Sequence, residues 1–243
     1  MITVFEREEM KYMLDTEQYL ELRSMTDKFM KVDEYGLTTI YSLYFDSPDN
    51  SMIKSSIAKP VYKEKLRLRS YGYPRNGDHT VFMELKKKFR GTVYKRRVPM
   101  TLDQANSYIL TGEKPFDSQI MREIDYSFRF HDARPALMMC YDRIAMVGKD
   151  ETDVRMTFDF NVRCRRNDLH PESGDSGNLL IPTGNVLLEV KILGAMPLWL
   201  AFFLSELKAY PTSFSKYGAY FEMEARGEEN KWGFYSSRIM AIS

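Results

Sequence analysis

Cysteine, histidine, net charge and long apolar runs are all scarce in this chain of 243 residues, and each scarcity closes off a class of protein. The two cysteines, Cys140 and Cys164, cannot build a secreted disulfide framework, and neither has the close Cys or His neighbours that a zinc site needs. A reducing, cytoplasmic setting is expected. The three histidines, His79, His131 and His170, fall in predicted loops or at a helix end, and their spacing makes neither a triad nor a metal motif. Lys and Arg number 35 against 34 Asp and Glu, a formal charge of +1, which excludes a surface built throughout for nucleic acid or anionic lipid. Any anion site must be local. The most apolar stretch, residues 195–207, is well short of the roughly 20 residues a membrane span requires, and Pro197 lies near its start, so it reads as a core helix. The opening MITVFEREEMKYML carries charges where a secretory signal needs an unbroken apolar core, and no export is expected. No repeat of solenoid period and no low-complexity tract is present.

What the chain does have is 44% hydrophobic residues, enough for one sizeable core, so a single domain over residues 1–243 is expected. The only segment of loop composition, residues 167–178, is rich in Gly, Ser, Asp and Pro and reads as a loop within that domain. A strand is predicted from about residue 4 to 12, followed by a helix capped by Asp15, with Tyr19, Leu22, Met25 and Phe29 at helical spacing. The segment TTIYSLYFDS is dense in β-branched and aromatic residues and ends in a turn that opens a short helix. Strands follow at 62–71, 80–89 and 92–100, the last two joined by a tight turn at Arg90-Gly91. Helices are expected at 102–110 and 117–130, strands at 135–147, 153–164 and 185–193, then a helix at 197–209 and a mixed segment SFSKYGAYFEME. Strand outnumbers helix, and most neighbours are linked as hairpins.

Alternation along these strands sorts the side chains into two faces. One face collects Arg7, Lys11, Lys65, Arg67, Arg69, Lys86, Lys88, Lys95, Arg97, Arg143, Arg155 and Lys191 with only Glu9, Glu84, Asp159 and Glu189, twelve bases to four acids. The opposite face is apolar: Leu66 and Leu68, Val81, Met83 and Leu85, Leu188 and Val190. Any one such strand is an ordinary half-solvated strand. The aggregate is different, because like charges on adjacent strands repel. It points to a polyanionic ligand, with the interspersed carboxylates suited to a hard cation. Seven or eight antiparallel strands of this kind, closed with the polar side inward, would make a barrel with a basic lumen and helices packed outside. KEKLRLR and KKKFRGTVYKRR resemble basic targeting patches, but their alternation with Leu and Val fits lumen strands better. Tyr41, Tyr44 and Phe45 read as core, and Met138, Met139 and Cys140 as core or wall.

The series FEREEMKYML, TIYSLYFDSPDN, YKEKLRLRSYG, VFMELKKK, TVYKRR, YDRIAM, VRMTFD, LLEVK and FSKYGAY, running from about residue 4 to 221, resembles the VTC domain (vacuolar transporter chaperone), a polyphosphate polymerase branch of the triphosphate tunnel metalloenzymes. The resemblance implies a mainly β fold, an eight-stranded antiparallel tunnel, that binds triphosphate or polyphosphate through Lys and Arg, with Mn²⁺ or Mg²⁺ held through glutamate. Carried onto this chain, it implies phosphate contacts from Lys11 and Lys95. Arg67 and Arg69 would grip the terminal phosphates with Lys86, Arg143 and Arg155 would clamp the opposite wall, and Lys216 would be a contact near one mouth. Glu189 would be the principal metal ligand, with Glu9 a further carboxylate; Glu84 reads equally as a metal ligand or as an ion-pair partner of Arg67 or Lys86. Lys65, Lys88 and Arg97 would guide the anion at the mouths. Where the broader superfamily has ExExK in its first strand, this chain has Arg7 in place of the first glutamate, which puts a two-metal hydrolytic arrangement in doubt and favours a phosphate-retentive site. The implied reaction is transfer of the ATP γ-phosphate to a growing polyphosphate chain. A triphosphatase acting on inorganic, thiamine or nucleotide triphosphate is the alternative, as is a non-enzymatic polyphosphate-binding module. No nucleic-acid partner is expected; the chain lacks a span of its own, and a membrane partner stays possible.

Overall fold

The computed structural model of the protein describes residues 7–150 and 154–237. The expected beginnings of two strands, at residues 4 and 153, and the side chain of Arg7 lie outside the described residues.

Strand β1 (Arg7–Leu14) leads into helix α1 (Thr16–Thr26). There Asp15 accepts from the Gln18 amide at 2.8 Å and the Gln18 side chain accepts from the Asp15 amide at 3.0 Å, a reciprocal cap that satisfies two orphan donors. Strand β2 (Met30–Asp46) is longer than its β-rich sequence core, and helix α2 (Ser51–Ile57) begins where the Asp46 carboxylate accepts from the Met52 and Ile53 amides. Strands β3 (Tyr62–Tyr71), β4 (Thr80–Phe89) and β5 (Thr92–Thr101) form the expected meander. Arg90 and Gly91 both have positive φ, +46° and +89°, the twist-matched geometry of a two-residue hairpin turn. Helices α3 (Leu102–Thr111) and α4 (Gln119–Phe130) start at the Thr101 and Ser118 side-chain caps. Then come β6 (Arg134–Gly148), β7 (Val154–Arg165), β8 (Gly177–Leu179), β9 (Val186–Leu193), α5 (Leu198–Glu206), α6 (Lys216–Ala225) and β10 (Phe234–Tyr235).

The hydrogen-bonded path runs β1-β9-β7-β6-β2-β3-β4-β5, with β8 paired to β7 and β10 to β8. Eight strands lie on that path, and β1–β9, β7–β9, β7–β8, β8–β10, β2–β3, β3–β4 and β4–β5 pair antiparallel, but among the described residues the sheet has ten strands and no ladder joins β1 to β5. The expected closed eight-stranded barrel is corrected to an open ten-stranded sheet with six helices. Alternation reports which side chains share a face; it carries no signal for whether the two edge strands pair.

Two compact units emerge, each built from separated stretches of chain: one within 1–38, 141–162 and 181–215, the other within 39–140, 163–180 and 216–243. In the first, Leu14, Met156, Phe158, Leu188 and Val190 pack against Leu22 of α1 and Leu200 and Leu204 of α5. In the second, Leu66, Leu68, Met83 and Leu85 pack against Ala105 of α3 and Met121 and Ile124 of α4. Each such side chain contributes roughly 1.5–3 kcal/mol on burial, which fixes the face of each strand that the helices cover and leaves the charged face on the other side. The segment at 167–178 is no free loop: the Arg165 guanidinium donates to the carbonyls of Asp168, His170, Gly174 and Ser176, and the buried Arg163 pairs with Asp175 at 2.5 Å. The mixed segment near residue 216 is helix α6, whose Tyr217 hydroxyl donates to Asp46 at 2.8 Å.

Candidate functional site: two charged sheet faces

On the second unit the register brings the predicted bases into rows. Ser42, Arg69 and Phe82 stand side by side, then Tyr44, Arg67, Glu84 and Arg97, then Lys65, Lys86 and Lys95, with Lys88 one step beyond on β4. With Lys63, which stands opposite Lys88, eight bases share this face with a single carboxylate among the described residues. Glu84, 1% exposed, is the hub. Arg67 donates to its Oε2 at 2.6 Å, the Lys95 ammonium lies 2.7 Å from Oε1 and the Arg97 Nε 3.4 Å from the same oxygen. Burial alone would raise the Glu84 carboxyl, but Arg67, Arg69 and Lys95 outweigh it and hold its pKa down to about 2. Glu84 is thus an ion-pair partner of Arg67, Lys95 and Arg97. Arg97 is steered further by the Phe82 ring, 3.5 Å from its guanidinium carbon to the ring centroid, and by Tyr71 at 5.2 Å. Burial pushes the Lys95 ammonium down and Arg67 and Arg69 add to that, so its pKa is lowered despite Glu84. Lys86 and Lys88 are exposed, and Lys216 sits half-buried at the start of α6.

The first unit's face is of a different character. Lys191 stands opposite Glu9 on one side and Arg155 on the other, and Glu189 opposite Lys11 and Thr157. Arg143, 17% exposed at its side chain, reaches the fully buried Asp159 with both Nε (2.6 Å) and Nη2 (2.8 Å) and approaches Glu189 at 4.0 Å. Burial works against the Arg143 charge, yet Tyr141, Asp159 and Glu189 raise its pKa well above the usual guanidinium range. Lys11 also donates to the Phe214 carbonyl at 3.0 Å. Arg155 is 56% exposed and meets Asp33 at 3.7 Å, so it stands at the periphery of this face while Arg143 stands at its floor. Lys11, Arg143, Arg155 and Lys191 are matched by Glu9, Asp159 and Glu189, a nearly balanced set.

That balance bears on a divalent cation. Lys11 and Lys191 sit 3.5–3.8 Å from the carboxylates of Glu9 and Glu189, looser than charge-assisted hydrogen bonds of about 2.7–2.9 Å. Beside Glu189, the Thr157 hydroxyl is buried and makes no hydrogen bond. One or two carboxylates completed by phosphate oxygens and water suit Mg²⁺ or Mn²⁺, and Glu189 with Glu9 fits that demand. A cage of several carboxylates does not fit: among the described residues no group of three or more His, Cys, Asp or Glu is gathered for a metal. Glu84 belongs to the other unit and is engaged by three cations.

Sequence reasoning placed the bases and missed much of what orients them. Asp159 was on the charged face by alternation but had no role. Tyr44, read as core, is buried but stands on the charged face opposite Arg67, where Arg67, Arg69 and Lys65 outweigh burial and lower its pKa. Strict alternation from Ser42 carries that signal. Thr157 was legible only as an uncharged residue between Arg155 and Asp159.

The fold and these faces define a mainly antiparallel β protein with helices on the apolar side of its sheet and charge on the other. The chain belongs to the VTC domain family, whose model matches residues 6–223. Among solved structures it is similar to a proposed adenylate cyclase from Bacillus halodurans (12% identity, 86% of this chain and 95% of that one, TM-score 0.54). It is also similar to one from Vibrio parahaemolyticus (13%, 91% and 98%, TM-score 0.47) and to the Mimivirus capping enzyme triphosphatase (10%, 83% and 87%, TM-score 0.35). At 12% identity the likeness to the Bacillus halodurans structure is one of fold. No curated protein matches the chain significantly. Among the described residues no helix is long and apolar enough to cross a membrane.

Proposed function

We propose that this protein is a metal-dependent phosphotransferase that moves the ATP γ-phosphate onto a growing inorganic polyphosphate chain. The observation that carries the reading is the face of eight bases and one carboxylate on β3, β4 and β5. Like charges on adjacent strands, as in the row Lys65-Lys86-Lys95, repel one another, and a chain of phosphates carries negative charge at regular intervals. Arg67 and Arg69 bind the phosphate oxygens with Lys86 and Lys95, and Lys88 and Arg97 extend the grip. Lys11, Arg143, Arg155 and Lys216 are assigned to phosphate as well, with Arg143 held in place by Asp159. Mg²⁺ or Mn²⁺, held by Glu189 with Glu9, would supply neutralisation of charge on the phosphate oxygens. Phosphoryl transfer needs positioning and charge stabilisation far more than a covalent nucleophile, which agrees with a site made of Arg, Lys and carboxylates. Membership in the VTC domain family supports the same reading.

The test is incubation of purified protein with ATP and Mn²⁺ or Mg²⁺, following polymer on a gel and free phosphate in solution. Polymer is expected, with Arg67→Ala and Glu189→Gln each lowering the rate roughly 10²–10³-fold. Stoichiometric phosphate without polymer would make the protein a triphosphatase, and binding without turnover under either metal would make it a binding module. Full activity in both variants would sink the site assignment.

A further inference from the structure

Among the described residues of the first unit's charged face, Thr157 is the one whose buried side-chain polar atom is without a hydrogen-bond partner. Its side chain stands on β7 between Arg155 and Asp159 in parity and directly opposite Glu189 on β9. Its neighbours of opposite parity, Met156 and Phe158, belong to the apolar core, so Thr157 belongs to the charged side. The residue is 3% exposed and its hydroxyl finds no hydrogen bond within the protein. A buried hydroxyl left unpaired costs about 1–3 kcal/mol, and a valine of the same shape at the same place would avoid that cost. The hydroxyl is therefore unexplained by folding. It lies on the same face as Lys11, Arg143 and Lys191, where the proposed substrate's phosphates are to be held.

Resting on the functional reading above, we propose that the Thr157 hydroxyl is a ligand-binding group that donates its hydrogen bond to a phosphate oxygen of the bound chain beside Glu189. A hydroxyl suits this position. It adds a donor without adding a charge to a face already balanced between bases and acids, so it can hold an oxygen next to Glu189 without competing with a cation for that carboxylate.

The test uses the full chain, inorganic tripolyphosphate with and without Mg²⁺ as the probe, and two readouts: affinity by calorimetry and the melting temperature of the free protein. Thr157→Val is expected to weaken tripolyphosphate binding roughly tenfold, while the free protein melts no lower than wild type, because an unpaired hydroxyl has been removed. Thr157→Ser is expected to keep the affinity. Wild-type affinity in Thr157→Val would overturn the inference, as would a valine variant whose melting temperature falls, since the hydroxyl would then be structural. Wild-type protein that bound no tripolyphosphate at all would overturn the functional reading on which the inference rests, a result distinct from either.

Discussion

Replacing Glu84 by glutamine removes the only negative charge from the basic face while keeping the side chain's shape. With an ordinary value of 4.5 and a folded value of about 2, the Glu84 carboxylate contributes about 3 kcal/mol at neutral pH by linkage. The figure is an upper bound, because the amide oxygen of glutamine still accepts from Arg67 and because Lys95 and Arg97, 44% and 34% exposed, are partly screened by water. For a protein of this size each kcal/mol moves the melting temperature by about 2–4 °C, so Glu84→Gln is expected to melt about 6–12 °C lower at pH 7. The pH dependence has a definite sign. The folded pKa is depressed, so the wild-type advantage is complete above the ordinary value of 4.5 and is lost as pH falls through it toward about 2. The two melting curves should therefore converge in acid. If the face is built for a polyanion, millimolar tripolyphosphate should also restore much of the lost stability in the variant, replacing the carboxylate among Arg67, Lys95 and Arg97. A thermal-shift series over pH, with and without tripolyphosphate, reads all three effects. A loss under 1 °C at pH 7, or a gap that stays constant into acid, would refute the placement of Glu84 as the buried counterion.

Lys65→Glu puts an acid into the Lys65-Lys86-Lys95 row. It should stabilise the free protein by about 0.5 kcal/mol, the scale of a cross-strand charge pair, while weakening tripolyphosphate binding; unchanged binding would show that this row does not meet the anion. Asp159→Asn breaks the two-pronged contact with Arg143 at a fully buried position. It should cost about 3 kcal/mol in denaturant unfolding and lower activity with it; a variant of wild-type stability would remove Asp159 from its orienting role.

Much of this was legible in the sequence because alternation is a strong signal when both faces are pure. KLRLR places bases at every second position against Leu, MELKKK places Glu84, Lys86 and Lys88 against Met83, Leu85 and Lys87, and the register of β3 and β4 agrees with the partition: Arg67 meets Glu84, Lys65 meets Lys86, Leu66 meets Leu85, and Lys87 meets Glu64 on the other face. Capping chemistry is equally local, and Asp15, Thr101 and Ser118 all cap the helices that follow them. What alternation omits is distance. The twelve-to-four count left out Lys63 and treated the charged face as one surface, whereas the structure divides it into a set of eight bases around Glu84 and a nearly balanced set around Glu189. The segment at 167–178 is the expected loop between β7 and β8, with one short helical turn at Pro171–Ser173. Gly, Ser, Asp and Pro composition reports loop backbone, but its order comes from Arg163 and Arg165 at the end of β7, whose targets are backbone carbonyls and Asp175.

The near-neutral total is a consequence of this division. With seven net positive charges on the β3–β5 face and +1 overall, the rest of the chain carries six more acids than bases. Beyond a Debye length of about 8–10 Å that acidic remainder is screened from the face, so it keeps the whole molecule from attracting anions at large without cancelling the local field among Arg67, Arg69, Lys86 and Lys95. A face of like charges is destabilising when empty and stabilising when filled, and a single carboxylate placed at its centre sets how far apart those two states lie. Glu84 is deep enough to neutralise Arg67, Lys95 and Arg97 while Lys86 and Lys88 stay exposed. Arg67, Lys95 and Arg97 thus serve both the fold, through Glu84, and the proposed grip on phosphate, whereas Lys86 and Lys88 are exposed, and charge reversal at Lys86 or Lys88 is predicted to change binding far more than stability.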